Sequence, residues 1–301
     1  MNLAGIDGTH LLGFMAGIGT FALLDAHARE RGSSPPRLSF TRDGTAIVEV
    51  GGQTPPQVVG AVFERLQILK AIYVRELAAV MNPRQFTAQS YAAFARAGGR
   101  ERSDNLAGLA FHAGTDDEAD ESSLCAASGA GHQHLIQSMR DVLSLVEPTH
   151  IDVALFRPWT RSYEVPPEKR KELALGNRKP TLRLEPADER LYALRLTNPT
   201  TTNDFKTELG AQALAIPAFA LLPVVPMKTP MCVSSRRVGS RIAFSWCLWD
   251  EPAALPTVRS LIYAGAQNDR SLRQRGAFAA FSVERIVVGK SYAFTPSVGL
   301  W

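Results

Sequence analysis

The sequence predicts an α+β protein, with a helical N-terminal part carrying a β-hairpin and a mostly β C-terminal part. Three observations predict it. Apolar residues recur at helical spacing across 9–29 and again from about 55 to 80. An Asp-Gly pair separates two short β-prone runs near residue 43. Beyond residue 146 short β-prone runs alternate with Pro-rich turns, without the strand–helix–strand series of a parallel sheet.

The elements follow in order. In 9–29 the apolar side is expected at Leu12, Met15, Ile18, Ala22 and Ala26, with Thr9 as the N-cap. Gly13, Gly17 and Gly19 each weaken such a helix by about 1 kcal/mol against alanine, so they point to a second backbone passing close by. The runs RLSFT and TAIVEV flank Arg42-Asp43-Gly44 and predict the hairpin. Thr54-Pro55 then opens a long helix whose buried stripe runs Val59, Val62, Phe63, Leu66, Leu69, Tyr73, Leu77 and Val80. Asn82-Pro83 ends it, and a shorter helix over 85–97 stops at Gly98-Gly99.

Residues 114–131 read as a loop. Five of the six residues Asp116–Glu121 are acidic, a composition that favours a solvated block dispensable for folding. A helix over 132–146 buries Leu135, Met139, Val142 and Leu143, and strands are expected at 152–156, 191–197, 242–248 and 278–288. These patterns divide the chain into a mostly helical region, 1–150, with hairpin and acidic loop, and a basic, mostly β region, 151–301.

The chain has 301 residues with three cysteines, Cys125, Cys232 and Cys247, and no CxxC pair. That usage fits a reduced cytoplasmic protein rather than a disulfide framework or a cysteine zinc site. Leu11–Leu24 lacks preceding basic residues and reads as too short to span a bilayer. Leu209–Met227 is uncharged, but Pro217, Pro223 and Pro226 break it, so a buried helix and then a buried strand are expected rather than a membrane span.

Charge is divided unevenly. Residues 1–150 carry 12 Lys/Arg against 16 Asp/Glu, a net −4, whereas residues 151–301 carry 21 against 13, a net +8. A basic half of this kind suits a polyanion.

Catalytic constellations are harder to find. His132 and His134, two apart, would diverge by about 200° on a helix, and no HExxH pattern accompanies them. Ser128-Gly129-Ala130-Gly131 lacks the lysine of a P-loop, yet a glycine-rich lead into a helix exposes N–H groups suited to phosphate, which makes Gly129 and Gly131 candidate contacts. No GxSxG or cysteine–histidine signature is present. The sequence therefore reads as a non-enzyme with no cofactor and no metal site. The candidate nucleic-acid contacts are Arg236, Arg237, Arg241, Arg270, Arg273, Arg275 and Lys290, several beside Gly or Ser, as backbone phosphate contacts require. Arg270 and Arg273 share a face if 268–275 is helical. Trp246 and Trp249 are either core anchors or base-stacking platforms.

Four segments carry a resemblance: Leu3-Ala4-Gly5 with His10–Leu24, Ser128–Leu135 (SGAGHQHL), Ser245–Ile262 (SWCLWDEPAALPTVRSLI) and Val283–Ala293 (VERIVVGKSYA). Together they resemble the large subunits of type I-G CRISPR effector complexes, although the chain is much shorter than those proteins. The resemblance implies a non-catalytic member of a Cascade assembly. Its partners would be the guide crRNA, target double-stranded DNA, the backbone and 5′-handle-binding subunits, and the helicase-nuclease. It also implies a part in reading the PAM, the short duplex motif beside the target, while base pairing reads the rest. A nuclease or hydrolase with an unassembled acidic site, and a purely structural assembly protein, are the competing readings.

Overall fold

A computed structural model describes residues 1–96, 99–114, 118–126, 134–186, 207–225, 231–264, 269–288 and 291–301. The fold is α+β, with most helices early and the larger sheet late. The chain opens on a strand that the sequence pattern did not suggest, β1 (Asn2–Asp7). It pairs antiparallel with β3 (Thr45–Glu49), which in turn pairs with β2 (Arg37–Phe40) across the Asp43-Gly44 turn. Gly44 takes φ +91°, a left-handed conformation that glycine adopts without strain.

Between β1 and β2 runs α1 (Leu11–Glu30). His10, not Thr9, is its N-cap, and Thr9 bonds instead to Asp7 Oδ1 through both N–H (2.9 Å) and hydroxyl (2.7 Å). The expected single stripe is also corrected. Residues 11–21 are buried on every side, while Ala22 and Ala26 lie on the less covered face. An all-round apolar helix belongs in the middle of a core. The glycines explain how it gets there: a Cβ on Gly19 would sit 1.9 Å from the Leu214 carbonyl oxygen, and one on Gly13 would sit 1.8 Å from that of Asp7. At 20 residues α1 is longer than the 14-residue run and apolar enough to cross a membrane, but 89% of its most apolar window is buried inside the protein.

Helix α2 (Pro55–Ala71) starts as expected, with the Thr54 N–H donating to Gln57 Oε1 at 2.7 Å, and continues as a π-helical turn over Ile72–Glu76. Val62, Leu66 and Tyr73 are fully buried along its stripe. A 3-10 turn at Pro83–Gln85 leads to α3 (Ala88–Arg96). A further helix, α4 (Gly99–Leu109), begins where the sequence suggested a stop.

The acidic segment departs most from expectation. Part of it, 115–117, lies outside the described residues. The rest forms β5 (Asp120–Glu121), paired with β4 (Ala110–Phe111). Ala119 is 2% exposed, and the Glu121 carboxylate, 5% exposed, meets Arg84 at 3.0 Å. Of the segment's described acids only Glu121, which gains a cation, leaves water; Glu118 and Asp120 stay exposed while Ala119 between them enters the core.

Helix α5 (Leu135–Leu145) buries the four expected residues. The strand expected at 152–156 is instead the end of α6 (Pro148–Phe156). Pro148 stands at its first turn, the Glu147 N–H donates to His150 Nδ1 at 3.0 Å, and Ile151, Ala154 and Leu155 bury at helical spacing. This helix straddles residue 150, and one apolar cluster draws on both regions of the chain. The strand expected at 191–197 lies outside the described residues.

After α7 (Pro167–Glu172), the apolar stretch from 209 is a buried helix, α8 (Leu209–Ala215). It is followed by a 3-10 turn at Pro217–Leu221 and a short strand, β6 (Val224–Val225), paired with β7 (Met231–Cys232). The larger sheet has the order β11-β10-β9-β8, from β8 (Ser235–Val238), β9 (Arg241–Trp249), β10 (Ala277–Val288) and β11 (Ser291–Phe294), with β12 (Val298–Gly299) also on β10. Helices α9 (Leu255–Ala264) and α10 (Asp269–Gln274) join β9 to β10.

Candidate nucleic-acid interface

Strand β9 ties the two sheets together, and that decides the fate of its tryptophans. Trp246 donates Nε1–H to the Gly8 carbonyl (2.7 Å) and lies among Phe14, Phe244 and Phe281, its ring 5.6 Å from that of Phe14. Trp249 donates to the Leu38 carbonyl (2.7 Å) and meets Phe40 edge-on. Both are at most 2% exposed, so neither is a platform for a base. Their polar N–H groups find backbone acceptors, as buried indoles require.

Of the candidate arginines, Arg236, Arg237 and Arg241 stand at the opposite end of the strand, and those of α10 and just past it at the Trp249 end. Strand β8 ends the path of the sheet and pairs only with β9, Arg236 opposite Ala243 and Arg237 opposite Ile242. Successive side chains alternate faces, so this sequence-adjacent pair is split. Arg236 shares a face with Val238 and Arg241, and Arg237 shares the other with Ser235. The two cannot close on one base edge as a unit. The small residues beside them have structural work. Gly239, at φ +60°, makes the tight turn into β9, and the Ser234 hydroxyl donates to the Ile262 carbonyl.

Arg241 is exposed and bonds Glu284 at 2.7 Å across the sheet. Arg236 is exposed and has no ion pair among the described residues. On α10, Arg270 and Arg273 do lie on one face, at i and i+3. Arg270 is exposed with no ion pair among the described residues, whereas the Arg273 guanidinium lies 4.2 Å over the Trp301 ring. Arg275, just past the helix, donates to Ser260 Oγ at 3.1 Å.

These residues form two patches, not one. Helix α10 feeds β10 at Ala277, which pairs with Trp249, while Arg241 begins β9 at its far end. Nine residues of strand set those ends roughly 26 Å apart. Lys290, Gly129 and Gly131 lie outside the described residues, as does His132. Sequence reading passed over Arg183, which stands close to Arg178 and Lys179 on a turn after α7. The cationic run NRKPTLR was the available signal.

The three cysteines are free and buried. Burial raises all three thiols above their ordinary range, Cys247 to about 12, so at neutral pH none is a thiolate nucleophile. Among the described residues no group of three or more His, Cys, Asp or Glu side chains is placed to hold a metal ion. No family model matches the chain, and no curated protein matches it either.

Proposed function

We propose that the protein is a non-catalytic, cytoplasmic subunit of an RNA-guided type I CRISPR complex that holds guide RNA and target DNA by their phosphates. It would contribute to PAM reading and to docking of the helicase-nuclease. One observation carries the nucleic-acid part: Arg236 and Arg270 are exposed, lack an internal ion pair among the described residues, and are mounted at the two ends of a sheet anchored by buried tryptophans. Free guanidinium groups on rigid supports are what backbone-positioning contacts need. The four segments that resemble type I-G large subunits support the assembly part.

The split of Arg236 from Arg237 narrows the PAM reading. One of them, rather than the pair, is available to a given groove, and Arg236 is the better placed because it shares its face with Arg241. The test is a salt titration of binding to duplex DNA and to single-stranded RNA. Arg236→Ala and Arg270→Ala should each flatten the dependence of log K on log salt by about one unit per true contact. If both variants match the wild type at every salt concentration, the basic face serves assembly. Val287 and Val298, 69% and 63% exposed on the same sheet, favour that second reading.

A further inference from the structure

We propose that the outward side of α2 and of the turn that follows it docks an acidic amphipathic helix of another protein. Ile68, Val74 and Met81 are 38%, 37% and 42% exposed, and all three fall on this one short segment. Ala71 lies between Ile68 and Val74 at helical spacing, and Ala78, exposed as well, stands one turn further on. The opposite side of the segment is already in the core, through Leu66, Leu69, Ile72, Tyr73 and Leu77. Large apolar side chains scattered singly over a surface need no account, but a row along one side of a helix does.

The row is stiffly held. Helix α2 passes into the π-helical turn over Ile72–Glu76, a local widening that recurs at functional sites. Beyond it, the buried Arg140 of α5 donates from Nη1 to the Leu77 carbonyl and to the Ala78 carbonyl, the latter at 2.9 Å. The Met81 carbonyl accepts the N–H groups of Ile136 (3.1 Å) and Gln137 (3.2 Å), and its own N–H goes to Gln85 Oε1 (2.7 Å). A backbone pinned in this way leaves little ordering to be done on binding.

Charge identifies the occupant. Lys70 stands one turn before Val74 and Arg75 one turn after Ala71, and neither has an ion pair among the described residues. The carboxylates on the same segment are committed elsewhere, Glu64 to Arg31 at 3.1 Å and Glu76 to Arg102. An apolar row edged by two unneutralised cations fits a helix with an apolar stripe and acidic flanks. A second copy of this chain fits poorly. Row against row sets Lys70 and Arg75 against themselves, and row against the exposed Val238 sets them beside Arg236. A bilayer fits poorly too, because the row exposes no aromatic ring and carries only these two unpaired cations. The inference uses no residue of the nucleic-acid face and stands apart from it.

The probe is a designed peptide of about 18 residues, with leucine along one helical stripe and glutamate on its flanks, long enough to hold a helix. Titrated with the full chain and followed by the fluorescence anisotropy of a terminal label, it should bind saturably. The variant Ile68→Ser/Met81→Ser should bind it about tenfold or more weakly. Lys70→Glu/Arg75→Glu should weaken it as well and should gain binding of the same peptide with lysine flanks, a reversal that mere disturbance of the fold would not produce. Should Ile68→Ser/Met81→Ser lose the cooperative thermal transition, Val74→Ser alone must still weaken binding. No binding by the wild type, equal affinity in a folded variant of the row, or equal affinity for a scrambled peptide of the same composition overturns the docking face. Binding to phosphatidylglycerol vesicles that Ile68→Ser/Met81→Ser abolishes assigns the face to a bilayer and overturns the helix. A concentration-dependent dimer that the same variant dissolves, seen by sedimentation, overturns it in favour of a second copy.

Discussion

The two ends of β9 do opposite things with the same backbone. At its close, Cys247, Leu248 and Trp249 are at most 3% exposed, and Trp249 bonds the first sheet. At its opening, Arg241 is exposed and pairs with Glu284, and the neighbouring strand presents Arg236 beyond it. One end is an anchor and the other a mount. The contrast teaches that exposed charge here is carried on a strand whose remaining length, from Ala243 to Trp249, is locked into the core.

The strongest way to break that arrangement is at the anchor. Trp249→Ala removes a fully buried ring and one hydrogen bond to Leu38, and should cost about 3–5 kcal/mol, seen as a lower denaturant midpoint at unchanged slope. A loss below about 1 kcal/mol would mean that the anchor lies elsewhere. Next comes Glu121, whose buried carboxylate holds Arg84 beside β5. Because Arg84 is half exposed, Glu121→Ala should cost only about 1–2 kcal/mol. A melting temperature indistinguishable from wild type would restore the picture of a dispensable acidic segment. The smallest effect belongs to the mount. Arg241 and Glu284 are 60% and 33% exposed, so Arg241→Ala should change stability by no more than about 0.5 kcal/mol. The same variant should still alter the salt dependence of nucleic-acid binding if the face proposed above is used.

Much of the fold was legible because local rules and global packing agreed. The Asp43-Gly44 hairpin, the Thr54-Pro55 helix start, the apolar helix at 209 and the long strands near 242 and 278 all appear where their residues place them. Errors came where a segment's neighbours overrode its own pattern. Residues 152–156 alternate weakly enough to pass for a strand, but Pro148 and the Glu147–His150 cap begin a helix upstream that carries through them. β1 carries Gly5 and few β-branched residues and so does not announce itself, and it pairs along β3. The candidate site was legible only as a list of cations. Sequence could not separate Arg236 and Arg270, which stand exposed, from Arg273, which lies on Trp301, or Arg241, which is neutralised by Glu284.

By itself, then, the sequence determined the class of the protein, the helices that carry strong caps or unbroken apolar runs, the hairpin turn, and the bias of positive charge toward the second half. Those are properties of residues within a few positions of one another, and they survive in any fold. Tertiary structure alone decided which tryptophans are hidden, that Glu121 is buried while its acidic neighbour Asp120 is not, that α1 is covered on nearly every side, and that the arginines divide into patches about a strand's length apart. The reason is physical: burial and pairing depend on which distant segment arrives opposite a side chain, and in this chain those partners stand as far apart as Gly8 from Trp246 and Leu38 from Trp249.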